Sequence, residues 1–400
     1  MATLRLHERV LKLQPSATLA MAAKAKALKD QGVQVVSLSA GEPDFATPKS
    51  IVDAAREALT TDVGHYSPVR GADALVKSIC HKFKRDQKLH YEPNQVLATV
   101  GAKPAVAMAI ESIAGPGDEV IVFAPYWVSY PEQIRLVGAK PVVVEAGASH
   151  GYLPTSAALR AAITPRTKAV IINSPNNPSG AVYPESLLRE LMDVVKNTQI
   201  WVISDEIYEH LVFDDAKHVS PASFSEDAYS RTLVISGASK GYAMTGWRIG
   251  FAGGPKELID AMVKLQGQRD TCLPGITQAA CAFALMESDE LKADIETMRQ
   301  AYQERRDRAM QLLSEIPGVS CQKPLGAFYA LIDIAELLGQ PHKTGVMEDD
   351  MVFAQKLLEE AHVAVVPGTP FGAPGTIRIS LASSMSQIEE GIRRLSDWLK

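Results

Sequence analysis

Lys240 closes the run Ser236-Gly237-Ala238-Ser239-Lys240, eight residues before Arg248 and downstream of Asp205-Glu206-Ile207-Tyr208. A lysine amine attacks an aldehyde to form a Schiff base once desolvation and nearby positive charge lower its pKa from about 10.4 toward neutrality. The ordinary alternative is a solvated surface lysine. Asp205 follows a strand-like run over 200–204, where a carboxylate points into a crevice or caps a turn. Tyr208, taken alone, reads as a half-buried aromatic. The segment Asn173-Ser174-Pro175-Asn176-Asn177-Pro178-Ser179-Gly180 follows another strand-like run and is dense in turn formers. Gly101-Ala102-Lys103-Pro104 joins a strand to an alanine-rich helix, whose free N–H groups and positive end suit a phosphate.

These residues need elements to hold them. Between 95 and 252, short apolar runs recur over 96–100, 119–123, 141–145, 168–172, 200–204, 232–235 and 248–252, most of them separated by helical segments. The runs are continuously apolar, as strands covered on both faces should be. Alternation of this kind predicts an α/β fold with a mostly parallel central sheet, which places ligands at the carboxyl ends of its strands. After Ser288 the pattern changes to a long charged helix over 290–315, strands over 328–332 and 363–366, and a terminal helix. The division expected is a large α/β/α domain over 48–288 and a smaller α+β domain built from 1–47 and 289–400.

With 400 residues, two domains are the default expectation. A hydrophobic content of 46%, a charged content of 22% and a net charge of −5 are ordinary for a globular protein. Without blocks of Lys or Arg, neither nucleic acid nor a membrane surface is indicated as a partner. Cys80, Cys272, Cys281 and Cys321 are scattered and have the spacing of neither a zinc site nor a disulfide framework, so no metal is expected. No apolar run reaches the roughly 18 residues of a membrane span. The stretch Thr18-Leu-Ala-Met-Ala-Ala imitates a signal peptide but is interrupted by Lys24 and Lys26, which favours a cytoplasmic protein.

Several motifs stand in one order along the chain: Gly41-Glu42-Pro43-Asp44-Phe45, Pro125-Tyr126-Trp127, Asn177-Pro178-Ser179-Gly180, Asp205-Glu206-Ile207-Tyr208, Ser239-Lys240 with Met244-Thr245-Gly246-Trp247-Arg248, and Arg378-Ile379-Ser380. In this order the chain resembles the class I aminotransferases of pyridoxal-phosphate fold type I, over nearly its whole length. It is most similar to the bacterial-type aspartate aminotransferase branch. The resemblance implies amino transfer between an amino acid, aspartate or glutamate, and a 2-oxo acid, with pyridoxal 5'-phosphate as cofactor and ping-pong kinetics. It implies that Lys240 is the Schiff-base lysine and the base for the substrate α-proton. Asp205 would hold the ring nitrogen protonated, Tyr208 and Asn177 would donate to the phenolic oxygen, and Trp127 would stack on the ring. Arg248, the Gly101-Ala102-Lys103 backbone and Ser239, with Ser236 as a second serine, would hold the phosphate. Tyr66 would reach the phosphate of the other subunit of a homodimer.

For the substrate, the resemblance gives Arg378 the α-carboxylate, with Gly41 adding a backbone contact; a surface ion pair is the alternative for Arg378. Trp127 and Asn177 would also touch substrate, and Lys103 would take a distal carboxylate. Arg269 falls near a segment where other class I members place an arginine for that carboxylate, yet its local sequence departs from the usual pattern. Ser16 and Thr18 either line the mouth of the pocket or cap a helix.

A different chemistry competes on motif grounds. Gly237-Ala238-Ser239-Lys240-Gly241 also satisfies Gly-x-Ser-x-Gly, the nucleophile elbow of α/β-hydrolases. That reading needs Asp350 and His362 as partners of Ser239, and it lacks a His-Gly-Gly-Gly element.

Overall fold

A computed structural model describes residues 6–343 and 345–400. After β1 (Val36–Ser37) come the seven strands of the central sheet: β2 (Val96–Thr99), β3 (Glu119–Ala124), β4 (Lys140–Glu145), β5 (Thr167–Asn173), β6 (Trp201–Asp205), β7 (Thr232–Gly237) and β8 (Gly250–Gly253). Their order is β2-β8-β7-β6-β5-β3-β4. Only β8 runs against its neighbours, so the sheet is mostly parallel, as expected. Successive strand residues are buried on opposite faces. Val120 and Val122 join a core with helices Ala102–Ile113 and Lys256–Arg269, while Ile121 and Phe123 join another with helix Glu185–Val195. Covering both faces explains why the sequence shows apolar runs and not alternation.

A second sheet follows, formed by β9 (Ser320–Cys321), β10 (Tyr329–Asp333), β12 (Val366–Pro367) and β13 (Thr376–Ser380) in the order β12-β13-β10-β9, all antiparallel. Between β10 and β12, β11 (Val363–Ala364) pairs in parallel with β1, which ties the N-terminal segment to the C-terminal third. Helices Asp289–Leu313, Asp350–Ala361 and Met385–Leu399 share one core with these strands. No helix among the described residues is long and apolar enough to cross a membrane.

Behind the ends of β6 and β7 lies a buried polar network. Lys82 is fully buried, and its ammonium donates to Glu209, which also accepts from Gln87 and Ser236. Glu206 accepts from Ser204, Ser220 and Gln87 and pairs with His218 at 2.8 Å. Glu206, Glu209 and His218 approach closely enough to share a cation, but Lys82 already supplies that charge. Burial alone would raise the Glu209 carboxyl; Lys82, His210 and His218 outweigh it and hold it at about 2. His218 is pushed down by burial but raised on balance by Glu206.

The network has a defined pH window. The Glu209 contribution is complete above its unfolded value of about 4.5 and is lost as pH falls toward about 2. The His218 contribution is complete below 6.5 and is lost as pH rises through its elevated folded value. Lys82→Met leaves Glu209 buried without its cation and is expected to cost about 3–5 kcal/mol. Urea denaturation at pH 6 checks this, and an unchanged midpoint would show that the network does not stabilise the fold.

Candidate active site

A cavity of about 650 Å³ opens at the carboxyl ends of β5, β6 and β7, facing residues of β10 and β13. Asn173 and Asp205 end β5 and β6, and Ser239 and Lys240 follow β7, so the parallel sheet delivers them to one rim.

After β7 the chain makes one short helical turn, Ala238–Gly241, which carries Lys240 onto the cavity wall. Gly237 and Gly250 are partners across β7 and β8, and a Cβ on Gly237 would come within 2.9 Å of Gly250 Cα. A Cβ on Gly250 would come within 2.5 Å of Ala102 N. Glycine at both positions therefore lets the lysine turn, β8 and the amino end of helix Ala102–Ile113 touch. The Lys240 amine donates to Gly41 O at 2.5 Å. Burial lowers its pKa to about 8, with Glu42 opposing and Arg378 and Arg248 reinforcing the shift. A substantial share of the amine is then neutral and nucleophilic near pH 8.

Asp205 is 4% exposed and has no cationic partner in hydrogen-bond reach among the described residues. Tyr130 donates to Oδ2 at 2.6 Å and Ile207 N–H to Oδ1 at 3.3 Å. Burial raises the carboxyl to about 6 against these two donors. A buried carboxylate of this kind fits a protonated ring nitrogen, whose charge would offset the desolvation.

Arg378 is 1% exposed, so it is no surface ion pair. Nη1 donates to Asn177 Oδ1 at 2.9 Å and Nη2 to Ser39 O at 3.3 Å, while Nε has no partner among the described residues. No carboxylate of the described residues pairs with it, and burial lowers its pKa. The guanidinium stacks 4.2 Å from the centre of the Tyr329 ring, and the Tyr329 and Tyr208 hydroxyls are 3.0 Å apart. A buried cation without an anion is costly until a carboxylate arrives.

On the other side, Arg248 adopts φ +52° and donates to Thr245 O at 2.8 Å and Val100 O at 3.4 Å. It packs against Gly101, where a Cβ would stand 2.7 Å from Arg248 Nη2. Helix Ala102–Ile113 begins beside it, giving a guanidinium and unpaired N–H groups in one place. Ser239 lines this end; Ser236 does not, because its hydroxyl is bound to Glu209 behind the sheet. Lys103 lies over the Trp127 ring at 5.0 Å, and burial, then Arg248, lowers its pKa.

A family model described as "Aminotransferase class I and II" matches residues 33–395. An aspartate aminotransferase of Bacillus sp. (strain YM-2) is 46% identical over 99% of both chains. The chain belongs to the class I and II aminotransferases. An aspartate/prephenate aminotransferase of Thermus thermophilus is 43% identical over 98% of both chains. The solved structure of the Thermus thermophilus aspartate aminotransferase with maleate superposes with a TM-score of 0.94 at 42% identity, covering 99% of this chain and 100% of that one. Family membership implies pyridoxal phosphate. The buried Asp205, the Arg248 and helix anion site and the Lys240 amine are of the right chemical types, around one cavity, to take it.

Of the residues predicted from sequence, Gly41, Ala102, Lys103, Trp127, Asn177, Asp205, Tyr208, Ser239, Lys240, Arg248 and Arg378 line this aminotransferase's cavity, and Gly101 backs Arg248. Tyr66 stands outside it and is 87% exposed. Arg269 pairs with Glu111 and lines a separate cavity of about 440 Å³ with Arg9 and Gln133, so it is not brought to the site. Ser16 does both things considered for it, capping helix Ala17–Asp30 and lining the mouth with Thr18. The hydrolase alternative fails on geometry. Asp350 accepts from Thr369 and Gly375, His362 ends helix Asp350–Ala361 with Nδ1 3.4 Å from Leu358 O, and neither lines the cavity with Ser239. Tyr130, Tyr329 and Glu42, to which the sequence assigns no role, also line the cavity. A helical spacing of three from Trp127 was the one available signal for Tyr130.

Proposed function

We propose that this aminotransferase binds pyridoxal phosphate through Lys240, Asp205 and Arg248 and moves the amino group of a dicarboxylic amino acid, aspartate or glutamate, to a 2-oxo acid. The observation that carries the reading is the pairing of opposites in one cavity. Among the described residues, Asp205 is a buried carboxylate without a cation and Arg378 a buried guanidinium without an anion, and both face the space beside Lys240. When bound, the cofactor supplies an aldehyde for an amine and a ring that accepts the electrons left when the substrate Cα–H bond breaks.

Each residue then has a physical task. Asp205 holds a proton on the ring nitrogen, and Tyr130 holds Asp205 in place. Arg248, Ser239 and the N–H groups of Ala102 and Lys103 hold the phosphate, while the Gly101 N–H is taken by Thr99 O at 2.7 Å. Tyr208 donates to the phenolic oxygen; burial keeps its phenol protonated well above the usual range. Asn177 engages Arg378 through Oδ1, which leaves Nδ2 to donate to the same oxygen. Trp127 covers the ring face and keeps water off it. Arg378 takes the α-carboxylate with Gly41 beside it, and Lys240, once free, carries the proton from substrate Cα.

Lys103 at the mouth takes the distal carboxylate of the substrate. Relatives from Cereibacter sphaeroides and Thermus thermophilus bear the name aspartate/prephenate aminotransferase, so prephenate belongs among the acceptors to be assayed. Lys103→Ala is expected to raise KM for aspartate by about 10–100-fold, the value of one hydrogen bond to a charged group, and KM for an apolar amino acid far less. Equal effects on both substrates would reject the distal-carboxylate role.

The same reading includes a homodimer, in which exposed Tyr66 serves the phosphate of the partner. It also includes a cytoplasmic setting, consistent with four free cysteines. The pairing of β1 with β11 supports 48–288 as the large domain and 1–47 with 289–400 as the small one; residues 1–5 and 344 lie outside the described residues.

A further inference from the structure

Resting on that reading of the cavity, we infer that Tyr329 is a positioning residue that joins the substrate-carboxylate site to the cofactor site, its ring setting Arg378 and its hydroxyl fixing the direction of the Tyr208 proton.

Two independent contacts of one side chain lead here. In the β10–β13 ladder Arg378 stands opposite Leu331, which makes Tyr329 its diagonal neighbour on the same face. The guanidinium lies 4.2 Å from the centre of the Tyr329 ring and 4.9 Å from that of Phe371. Arg378 has no ion-pair partner among the described residues, so these ring faces, Asn177 and Ser39 hold it in plane. Remove the ring, and the guanidinium loses the surface that orients its fork.

The hydroxyl acts on the other site. Tyr208 and Tyr329 hydroxyls are 3.0 Å apart, and either atom can donate. A phenol has one proton and two acceptor lone pairs. If Tyr208 spends its proton on Tyr329, it has none for the cofactor. Tyr208 donates to the cofactor oxygen only when Tyr329 donates to Tyr208, giving a chain of two hydrogen bonds running one way. Such a chain polarises the second donor and strengthens it. Both phenols are buried and held protonated above their ordinary range, so the chain keeps both protons. A carbon on Gly41 would lie 3.5 Å from the Tyr329 oxygen, so Tyr329 also abuts the loop that accepts the Lys240 amine.

The two contacts separate in two substitutions. Tyr329→Phe keeps the ring under Arg378 and deletes the hydroxyl; Tyr329→Leu deletes both. In the holoenzyme, the visible absorbance of the bound cofactor changes with pH as the Schiff-base nitrogen loses its proton. A donor on the phenolic oxygen favours the deprotonated form, so weakening that donor raises the midpoint. Tyr329→Phe leaves Tyr208 its own bond to the cofactor oxygen and removes only the polarisation, so it is expected to raise the midpoint by about a few tenths of a unit, with KM for the amino acid within about twofold of wild type. Tyr329→Leu is expected to raise the midpoint similarly and to raise KM for amino acid and oxo acid together, by about tenfold. A general packing defect would instead lower the melting temperature and leave the midpoint of the folded enzyme in place. An unmoved midpoint in Tyr329→Phe, or equal KM in both variants, overturns the inference. Absence of any visible absorbance in the wild-type protein given pyridoxal phosphate would instead reject the cofactor reading beneath it.

Discussion

Lys240→Ala is expected to lower the rate of amino transfer by about 10⁴-fold or more while the protein still takes up pyridoxal phosphate. Labour within the cavity is divided. Arg248 and the amino end of helix Ala102–Ile113 form an anion site of their own, and Asp205 stands apart from both, so non-covalent binding survives loss of the amine. What disappears, on the proposed function, is the group that would carry a proton between substrate Cα and the cofactor. No neighbour replaces it: Lys103 lies over Trp127, and Tyr208 is buried with its phenol held protonated. Single-turnover spectra with aspartate, alongside equilibrium dialysis of the cofactor, separate the two effects. Turnover within tenfold of wild type would remove Lys240 from the chemistry.

Asp205→Asn is expected to act in opposite directions on function and on the stability of the cofactor-free protein. An amide cannot hold a ring nitrogen protonated by charge, and loss of one preorganised electrostatic contact of this kind costs about 10²–10³-fold in kcat. Without cofactor the native carboxylate is a liability. Burial raises it from 3.8 to about 6, so the folded state binds the proton more tightly than the unfolded chain. Its stabilising contribution is present at low pH and is lost as pH rises through that interval. At pH 8 the neutral amide removes that cost, and cofactor-free Asp205→Asn is expected to melt about 2–4 °C above wild type. At pH 4 the difference should vanish. Melting curves of the cofactor-free proteins at the two pH values, with kcat of the loaded ones, supply the check. A variant destabilised equally at both would mean that Asp205 is an ordinary structural carboxylate.

Most of this site is legible in the chain because it follows strand ends. A parallel sheet brings the residues after each strand to one rim, so Asn177, Asp205 and Lys240 converge despite their separation in sequence. Neighbouring serines show the limit of that legibility. Ser236 and Ser239 were both phosphate candidates, but Ser236 is still within β7 and points back to Glu209, while Ser239 lies on the turn beyond it. Lys82 could not be read at all. A lysine on a charged helix looks solvated, and only the packing of helix Asp73–Gln87 against Glu209, 127 residues away, buries it. Tyr329 was hidden for a similar reason, since an aromatic in a strand-like run looks like core until the register with Arg378 is known. Arg378 itself was open between a surface ion pair and a carboxylate ligand, and its burial without an anion decides against the first.

The central claim is that the Lys240 amine bonds the cofactor. Loading the protein with pyridoxal phosphate, reducing with borohydride and mapping the peptides by mass tests it most directly. One dominant phosphopyridoxyl adduct is expected, on Lys240, with loss of visible absorbance in equal measure. An adduct centred on Lys103 or another lysine, or none above background, would contradict it.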